Sequence, residues 1–371
     1  MKRDIQNYVL GKWTSGDDLE YEPVHAITGE PLGKVSSYGL DYNDILDYAR
    51  KKGGTQLREM SFPKRGLMLK SLALFLQQKK DSYYSISYAT GATRIDSWID
   101  IEGGIGNLFS YASLRREFSD QPFLIDGPPV KLSQNGTFLG QHIMIPKKGV
   151  AVHVNAFNFP VWGMLEKIAV NFLAGVPAVV KPSEYTSFLS EAVVRDIISS
   201  KILPEGALQL ITGKGTGVLD AVQRDDVVTF TGSRKTGLAL KSQPHFLERG
   251  VPFNLEADSL NAMVLGEDVK SESKEYEIFI KEVAKEITIK AGQKCTAVRR
   301  VLVPENLLEQ VSESLVSRLK STKYGDPNID GVRMGALATK LQVQRVQESV
   351  DLLSKESEII FGGVDRENEA I

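Results

Sequence analysis

Cys295 is the one cysteine in 371 residues, and it stands in the run Ala291-Gly-Gln-Lys-Cys-Thr-Ala-Val-Arg-Arg300. A single thiol has no disulfide partner in its own chain, so it is either a quiet core residue or a nucleophile. Gly292 and Thr296 lighten the backbone around it. Ala297 opens an apolar stretch that continues as Val301-Leu-Val303, which suits a thiol on a loop feeding a buried strand. Three further positions could complete such chemistry. In Val154-Asn-Ala-Phe-Asn-Phe-Pro160, Asn158 precedes a proline at a favoured first-turn position. Its side chain either caps the helix or presents an amide to a developing oxyanion. In Phe253-Asn-Leu-Glu-Ala257, Glu256 lies among apolar neighbours. It is either a surface acid or a partly desolvated one with its pKa raised into general-base range. Val179-Val-Lys-Pro-Ser-Glu184 puts Lys181 at a strand end, where open α/β sheets bind ligands, although a lysine there can equally be a solvated charge.

The segment Val228-Thr-Phe-Thr-Gly-Ser-Arg-Lys-Thr-Gly237 ends a strand at Thr231, turns on small residues and starts a helix near Lys235. Such a helix N-terminus can hold a diphosphate on its exposed amides, or the segment is an ordinary strand-to-helix turn. Metal chemistry has no comparable signature. His25, His142, His153 and His245 are scattered, with neither His-Glu-x-x-His nor Cys-x-x-Cys, so no zinc is expected. Lys214-Gly-Thr216 lacks the spacing of a phosphate loop, and no Gly-x-Gly-x-x-Gly follows the first β run.

These residues need elements to carry them. Gly149–Val154, Pro177–Lys181, Ala207–Ile211 and Val227–Thr231 read as buried strands. Phe159–Leu173, Ser187–Ser200 and Gly217–Gln223 between them read as helices. This β-α-β rhythm predicts a parallel sheet covered on both faces. Earlier, Leu69, Leu72, Ala73 and Leu76 share a helical face, followed by a polar stretch at Gln77–Asp81. Gly127-Pro-Pro129 interrupts the pattern, and strand-like pieces follow across Gln134-Asn-Gly136, an Asn-Gly hairpin signal that predicts an arm outside the sheet. A second unit is expected after Ala291, with strand Arg300–Val303, helix Leu307–Lys320, a turn at Gly325-Asp-Pro327 and helix Leu341–Ser354. Ile359–Val364 reads as a further strand and turn in mid-fold, so the ending has the look of a truncation.

The bulk properties bound the partners. The length favours more than one domain, and 42% apolar residues supply a sizeable core. A net charge of −2 argues against nucleic acid. The N-terminus lacks the apolar run of a signal peptide, and the most hydrophobic long segment, Val161 to Val180, contains Glu166, Lys167 and Asn171 and is a poor membrane span. A cytoplasmic setting, with no membrane partner, is the expectation.

In order along the chain, Asn-Phe-Pro, Lys-Pro-Ser-Glu, Phe-Thr-Gly-Ser, the Leu-Glu-Ala step and Gly-Gln-Lys-Cys resemble the aldehyde dehydrogenase superfamily, from Val9-Leu-Gly-Lys-Trp13 onward. The resemblance implies an α/β fold with a Rossmann-like NAD(P)-binding domain over residues 1–255, carrying an oligomerisation arm at about 122–145. Residues 256–371 would form the N-terminal part of an α/β catalytic domain, incomplete here. It implies that the Cys295 thiolate attacks an aldehyde to give a thiohemiacetal whose oxyanion is held by the Asn158 amide and the Cys295 N–H. Hydride loss to the nicotinamide would leave a thioester, hydrolysed by water that Glu256 activates. Members that pass the acyl group to coenzyme A generally lack this glutamate, so hydrolysis is the implied route.

For the cofactor, Lys181 and Glu184 match positions near the adenosine ribose, Gly232 and Ser233 match the diphosphate turn, and Phe230 and Gly213 match positions lining the approach. Asn155 and Ser183 complete the implied binding set. Within the family, His153–Trp162, Asn254–Asn261 and Lys294–Arg300 look like the dehydrogenase half of the PaaZ group of bifunctional ring-opening enzymes in phenylacetate catabolism. That likeness implies a CoA-linked semialdehyde (3-oxo-5,6-dehydrosuberyl-CoA semialdehyde) as substrate, a hydratase-like domain C-terminal to this chain, a homo-oligomer, and NADP with NAD as the alternative. Two departures stand out. The chain ends before the family's Glu-x-Phe-Gly-Pro stretch, and a carboxylate at Glu184 disfavours a 2′-phosphate unless it turns away. The alternatives are a stand-alone semialdehyde dehydrogenase for another aromatic-degradation intermediate, a catalytically silent relative acting as a binding protein, and a dinucleotide-binding regulator.

Overall fold

The computed structural model describes residues 4–363. It opens with an antiparallel strand pair, β1 (Asn7–Val9) and β2 (Lys12–Thr14). Four helices follow: α1 (Tyr42–Tyr48), α2 (Gly54–Glu59), α3 (Phe62–Ser87) and α4 (Arg94–Ser113). The Ser61 hydroxyl caps α3, and Leu69, Leu72, Ala73 and Leu76 form its fully buried stripe. The helix runs straight through the polar Gln77–Asp81 stretch, because Gln77–Lys79 face solvent and Tyr83 and Tyr84 then return to the core. Thr93 opens α4 with a capping box: its hydroxyl accepts from the Asp96 N–H while Asp96 accepts from the Thr93 N–H.

The hairpin follows as β3 (Leu124–Lys131) and β4 (Leu139–Met144), turned at Ser133–Gly136 with Gly136 at φ +71°. β3 begins before Gly127-Pro-Pro129 rather than after it. The prolines, which cannot donate to a ladder, fall in the register shift between Asp126 and Val130. Then the expected β-α-β rhythm appears as β5 (Ala151–Val154), α5 (Pro160–Leu173), β6 (Ala178–Lys181), α6 (Ser187–Ser199), β7 (Leu208–Leu210), β8 (Val227–Thr231) and α7 (Arg234–Lys241), and two elements the sequence reading did not name extend it, α8 (Pro244–Arg249) and β9 (Phe253–Glu256). The expected helix at Gly217–Gln223 is only a 3₁₀ turn, Val218–Ala221. Gly217 is left-handed and Val222 extended, so the segment has no room for a full α-turn.

One seven-stranded sheet results, in the order β2-β1-β7-β6-β5-β8-β9, with β7 through β9 parallel. Strand order reverses at β5, between β6 and β8, and open α/β sheets bind ligands in the crevice outside the carboxyl ends of strands at such a point. Beneath it, β5 carries the buried His153. Its Nε2 donates to Asn171 Oδ1 (2.8 Å), whose amide donates in turn to the Val176 carbonyl, leaving Nδ1 to accept from Thr229 Oγ1 (2.7 Å). A neutral ring satisfies both neighbours, and burial pushes its pKa down to about 4.

A second unit begins at β10 (Asn261–Val264), which pairs in parallel with β11 (Val298–Leu302) and packs with α9 (Lys274–Thr288) and α10 (Leu308–Lys320). Its first strand and α9 precede the elements expected after Ala291 and fall within residues 256–371. The missed helix α9 buries Tyr276, Phe279, Ile280 and Val283, a plain helical period. α11 (Lys340–Leu353) follows. Ile359–Phe361 form no strand and are exposed; Val364 lies outside the described residues.

Candidate active site

Each strand of the parallel sheet delivers its predicted residues at its carboxyl end. Asn155 follows β5, Lys181 ends β6, Ser183 and Glu184 follow it, Gly213 lies three residues past β7, Gly232 and Ser233 follow β8, and Glu256 ends β9. Asn158 lies in the connection between β5 and α5, just before Pro160. It does not cap α5. Its Nδ2 donates instead to the Gln293 carbonyl (2.8 Å), two residues before Cys295. Glu256 accepts from Thr231 Oγ1 (3.2 Å) on the neighbouring strand. Its charge also acts on the thiol: Cys295 is exposed, yet its pKa is raised, first by partial desolvation and next by Glu256. The backbone N–H groups of Thr296 and Cys295 and the Lys294 ammonium pull the other way. So the Asn158 amide bonds the backbone two residues before Cys295, and the Glu256 charge acts on its thiol.

The loop bearing Cys295 is held from several sides. The Cys295 carbonyl accepts from Asn261 Nδ2 (2.8 Å) and from the Ser259 hydroxyl, and Asn261 also donates to the Ala297 carbonyl (3.1 Å). Gln293 donates through Nε2 to the Lys290 carbonyl (3.0 Å) and accepts from the Ala338 N–H (3.0 Å). Lys290 and Ala291 are both left-handed, at φ +54° and +51°. For side-chain-bearing residues this costs about 1–2 kcal/mol each, so the surrounding contacts must impose it. Sequence reasoning missed Ser259, Asn261, Lys290 and Gln293 as supports. Two carboxylates on the buried face of α4, Asp96 and Asp100, were missed as well. Their signal was available: acids four residues apart in register with Ile101, Ile105 and Leu108.

On the cofactor side, Asn155 is 4% exposed and neither end of its side-chain amide has a hydrogen-bond partner in the protein, while its N–H donates to the Lys181 carbonyl (2.9 Å). A buried amide with nothing to bond suits a polar ligand in the crevice. The Lys181 ammonium is buried and ion-paired to Glu184 (3.2 Å). Ser233 caps α7, accepting from the Thr236 N–H (3.2 Å), and the Arg234 N–H donates to Asp258 Oδ2 (3.0 Å). Phe230 lies buried beneath this turn. A Cβ on Gly232 would come within 2.7 Å of its ring, so only glycine lets the turn close over it. Gly213 is tight for a different reason: a Cβ there would lie 2.2 Å from Glu20 Oε2, which accepts from Ser37 and from the Lys214 N–H. Among the described residues, no group of three or more His, Cys, Asp or Glu could hold a metal ion, and no helix is long and apolar enough to cross a membrane.

The chain belongs to the aldehyde dehydrogenase family, whose sequence pattern matches residues 13–370. It is an NAD(P)-dependent aldehyde dehydrogenase by that membership. It is 38% identical over 360 residues to a 3,4-dehydroadipyl-CoA semialdehyde dehydrogenase of Aromatoleum evansii, covering 97% of this chain and 70% of that protein. Among solved structures, a point mutant of betaine aldehyde dehydrogenase from Staphylococcus aureus in complex with NAD+ superposes with a TM-score of 0.86 at 19% identity, over 99% of this chain and 72% of that one. An aldehyde dehydrogenase from Bacillus cereus, also complexed with NAD+, gives 0.84 at 21% identity, over 97% and 72%. These two likenesses establish the fold.

Proposed function

We propose that this protein oxidises a CoA-linked semialdehyde to the corresponding carboxylic acid. The carrying observation is that Asn158, at the carboxyl end of β5, bonds the backbone two residues before Cys295, while Glu256, at the end of β9, acts on that thiol by its charge. Cys295 forms the new C–S bond to the aldehyde carbon, and the carbonyl oxygen becomes an oxyanion. Asn158 Nδ2, already aimed at the Cys295 loop, and the Cys295 N–H donate to that oxygen. An oxidised nicotinamide, when bound, supplies the hydride acceptor. Glu256 takes a proton from the water that adds to the resulting thioester, the C–S bond breaks, and the acid and free thiol are released.

Asn155, Lys181, Ser183, Glu184, Gly232 and Ser233 would hold the cofactor, with Phe230 and Gly213 shaping the turns beneath them. Residues 1–255 would supply this binding unit, and residues 256–371 the part that carries Cys295. NADP is our proposed cofactor, with NAD the alternative. The Lys181 ammonium suits a 2′-phosphate, whereas Glu184, now bonded to it, would have to move aside. The dehydroadipyl-CoA relative supports a CoA thioester with a terminal aldehyde derived from aromatic ring opening. The eight-carbon 3-oxo-5,6-dehydrosuberyl analogue of phenylacetate catabolism is the other candidate, and either aldehyde needs a ring-opening hydrolytic activity before it. A cytoplasmic enzyme fits both.

The test is cofactor reduction at 340 nm by the complete polypeptide, with free and CoA-linked semialdehydes, NADP and NAD in parallel, and Cys295→Ala as control. Turnover confined to CoA-linked aldehydes and lost in the control is expected. Tight cofactor binding with no turnover on any aldehyde would leave a binding protein instead.

A further inference from the structure

We propose that two buried carboxylates on α4, Asp96 and Asp100, together with Lys290, are the device that sets the spacing of Cys295 from Asn158. The inference rests on the reading of those two residues given above. Asp96 and Asp100 lie one turn apart on the buried face of α4. Asp96 Oδ1 accepts from the Lys290 N–H (2.8 Å), five residues before Cys295, while its other oxygen is held by Thr93. Asp100 Oδ1 accepts from the N–H groups of Val161 (3.1 Å) and Trp162 (2.7 Å), three and four residues after Asn158. One helix thus tethers both backbone segments that carry the reacting groups.

The Lys290 side chain ties the two tethers together. Its ammonium is fully buried, donates to Thr90 Oγ1 (3.3 Å), feels both aspartate charges and lies 5.9 Å from the centre of the Phe159 ring, next to Asn158. Asp100 Oδ2 has no hydrogen-bond partner, so Lys290 is the counter-charge that acts on it. The circuit then closes on itself. The Lys290 carbonyl accepts from Gln293, and the Gln293 carbonyl accepts from Asn158. No member other than Asn158 belongs to the reacting set, which makes the cluster a positioning device. Stability alone does not account for it, because a buried polar network with an unpartnered oxygen is no more stable than an apolar core. What the polar groups add is a single geometry. Each tether asks for a particular backbone N–H, and Lys290 must turn left-handed to offer its own.

The experiment compares Lys290→Met, Asp100→Asn and the double variant with wild type and Cys295→Ala. It reads kcat, cofactor Kd and thermal unfolding, with rates taken well below the transition. For a displaced oxyanion donor, kcat of each single variant should fall on the order of tenfold to a hundredfold. Cofactor Kd should stay within about twofold, and the double variant should lose less than the product of the two singles, since both cut one circuit. Folded single variants with wild-type kcat and only a lower unfolding temperature would overturn the proposal. If Lys290→Met does not fold, the isosteric Asp96→Asn decides by the same criteria. Turnover surviving in Cys295→Ala would instead overturn the nucleophile reading. An inactive Cys295→Ala beside fully active cluster variants would overturn the positioning inference alone.

Discussion

At the scale of single residues, the thiol and the carboxylate are linked by charge as well as by chemistry. Partial desolvation raises the Cys295 pKa most, and Glu256 adds to the rise because a second negative charge beside a thiolate is unfavourable. Removing that charge should therefore make the thiol more acidic while depriving the thioester of its proposed base. In Glu256→Gln, the pH midpoint of Cys295 alkylation by iodoacetamide is expected to move down. Stopped-flow cofactor reduction should keep its first-turnover burst, while the steady state falls on the order of a hundredfold or more. A burst lost together with the steady state would place Glu256 in the attack step rather than in hydrolysis. An unmoved alkylation midpoint would remove the electrostatic link.

Secondary-structure elements carry the buried titrating groups, and two of them oppose each other in one pH window. His153 on β5 is neutral and buried, with its pKa lowered to about 4. The unfolded chain binds a proton at the ordinary imidazole value near 6.5, so stability present above about 6.5 is lost as pH falls toward 4, on the order of 3 kcal/mol. Asp100 on α4 is pushed up to about 7 by burial, with Lys290 and the two α5 amides acting against that rise. Here the folded state holds the extra proton, so this contribution is present below about pH 4 and is lost as pH rises through about 7. The net slope is the sum of the two, and variants separate them. Urea unfolding between pH 4.5 and 7 should show a steeper gain with pH in Asp100→Asn and a flatter one in His153→Gln. Identical slopes in wild type and both variants would mean that neither group titrates as its surroundings dictate.

For the whole molecule, the hairpin is the conspicuous surface. Ile125, Val130, Leu132, Phe138, Leu139, Ile143, Met144 and Ile145 are all exposed on or beside β3 and β4. An apolar patch of this extent is the surface we propose as the contact in an assembly of several copies. Ile125 and Ile143 face each other across the hairpin, so Ile125→Lys with Ile143→Glu replaces an apolar pair by an ion pair and spares the turn. Light scattering after size exclusion should show a smaller species for this double variant. An unchanged mass would mean that the hairpin is not the contact.

Much of this protein could be read from local windows of sequence. The alternation of apolar runs and helical periods located four of the five parallel strands of the main sheet to within a residue or two, because burial periodicity is a property of neighbouring residues, while β9 was not read as a strand. The order of short motifs pointed to the family, and Cys295, Asn158 and Glu256 could be picked out by type. Asp96 and Asp100 were missed, although they stand as acids on an apolar helical face. Tertiary structure alone decided what holds these groups in place. Asp96 reaches Lys290 across 194 positions, Asn158 reaches Gln293 across 135, and Asn261 clamps the Cys295 carbonyl from another strand. The left-handed turn at Lys290 and Ala291 belongs to the same class, since neither residue favours it and only distant contacts offset its strain. A hydrogen bond between remote segments depends on where the whole chain brings their backbones, and no local window of residues contains that information.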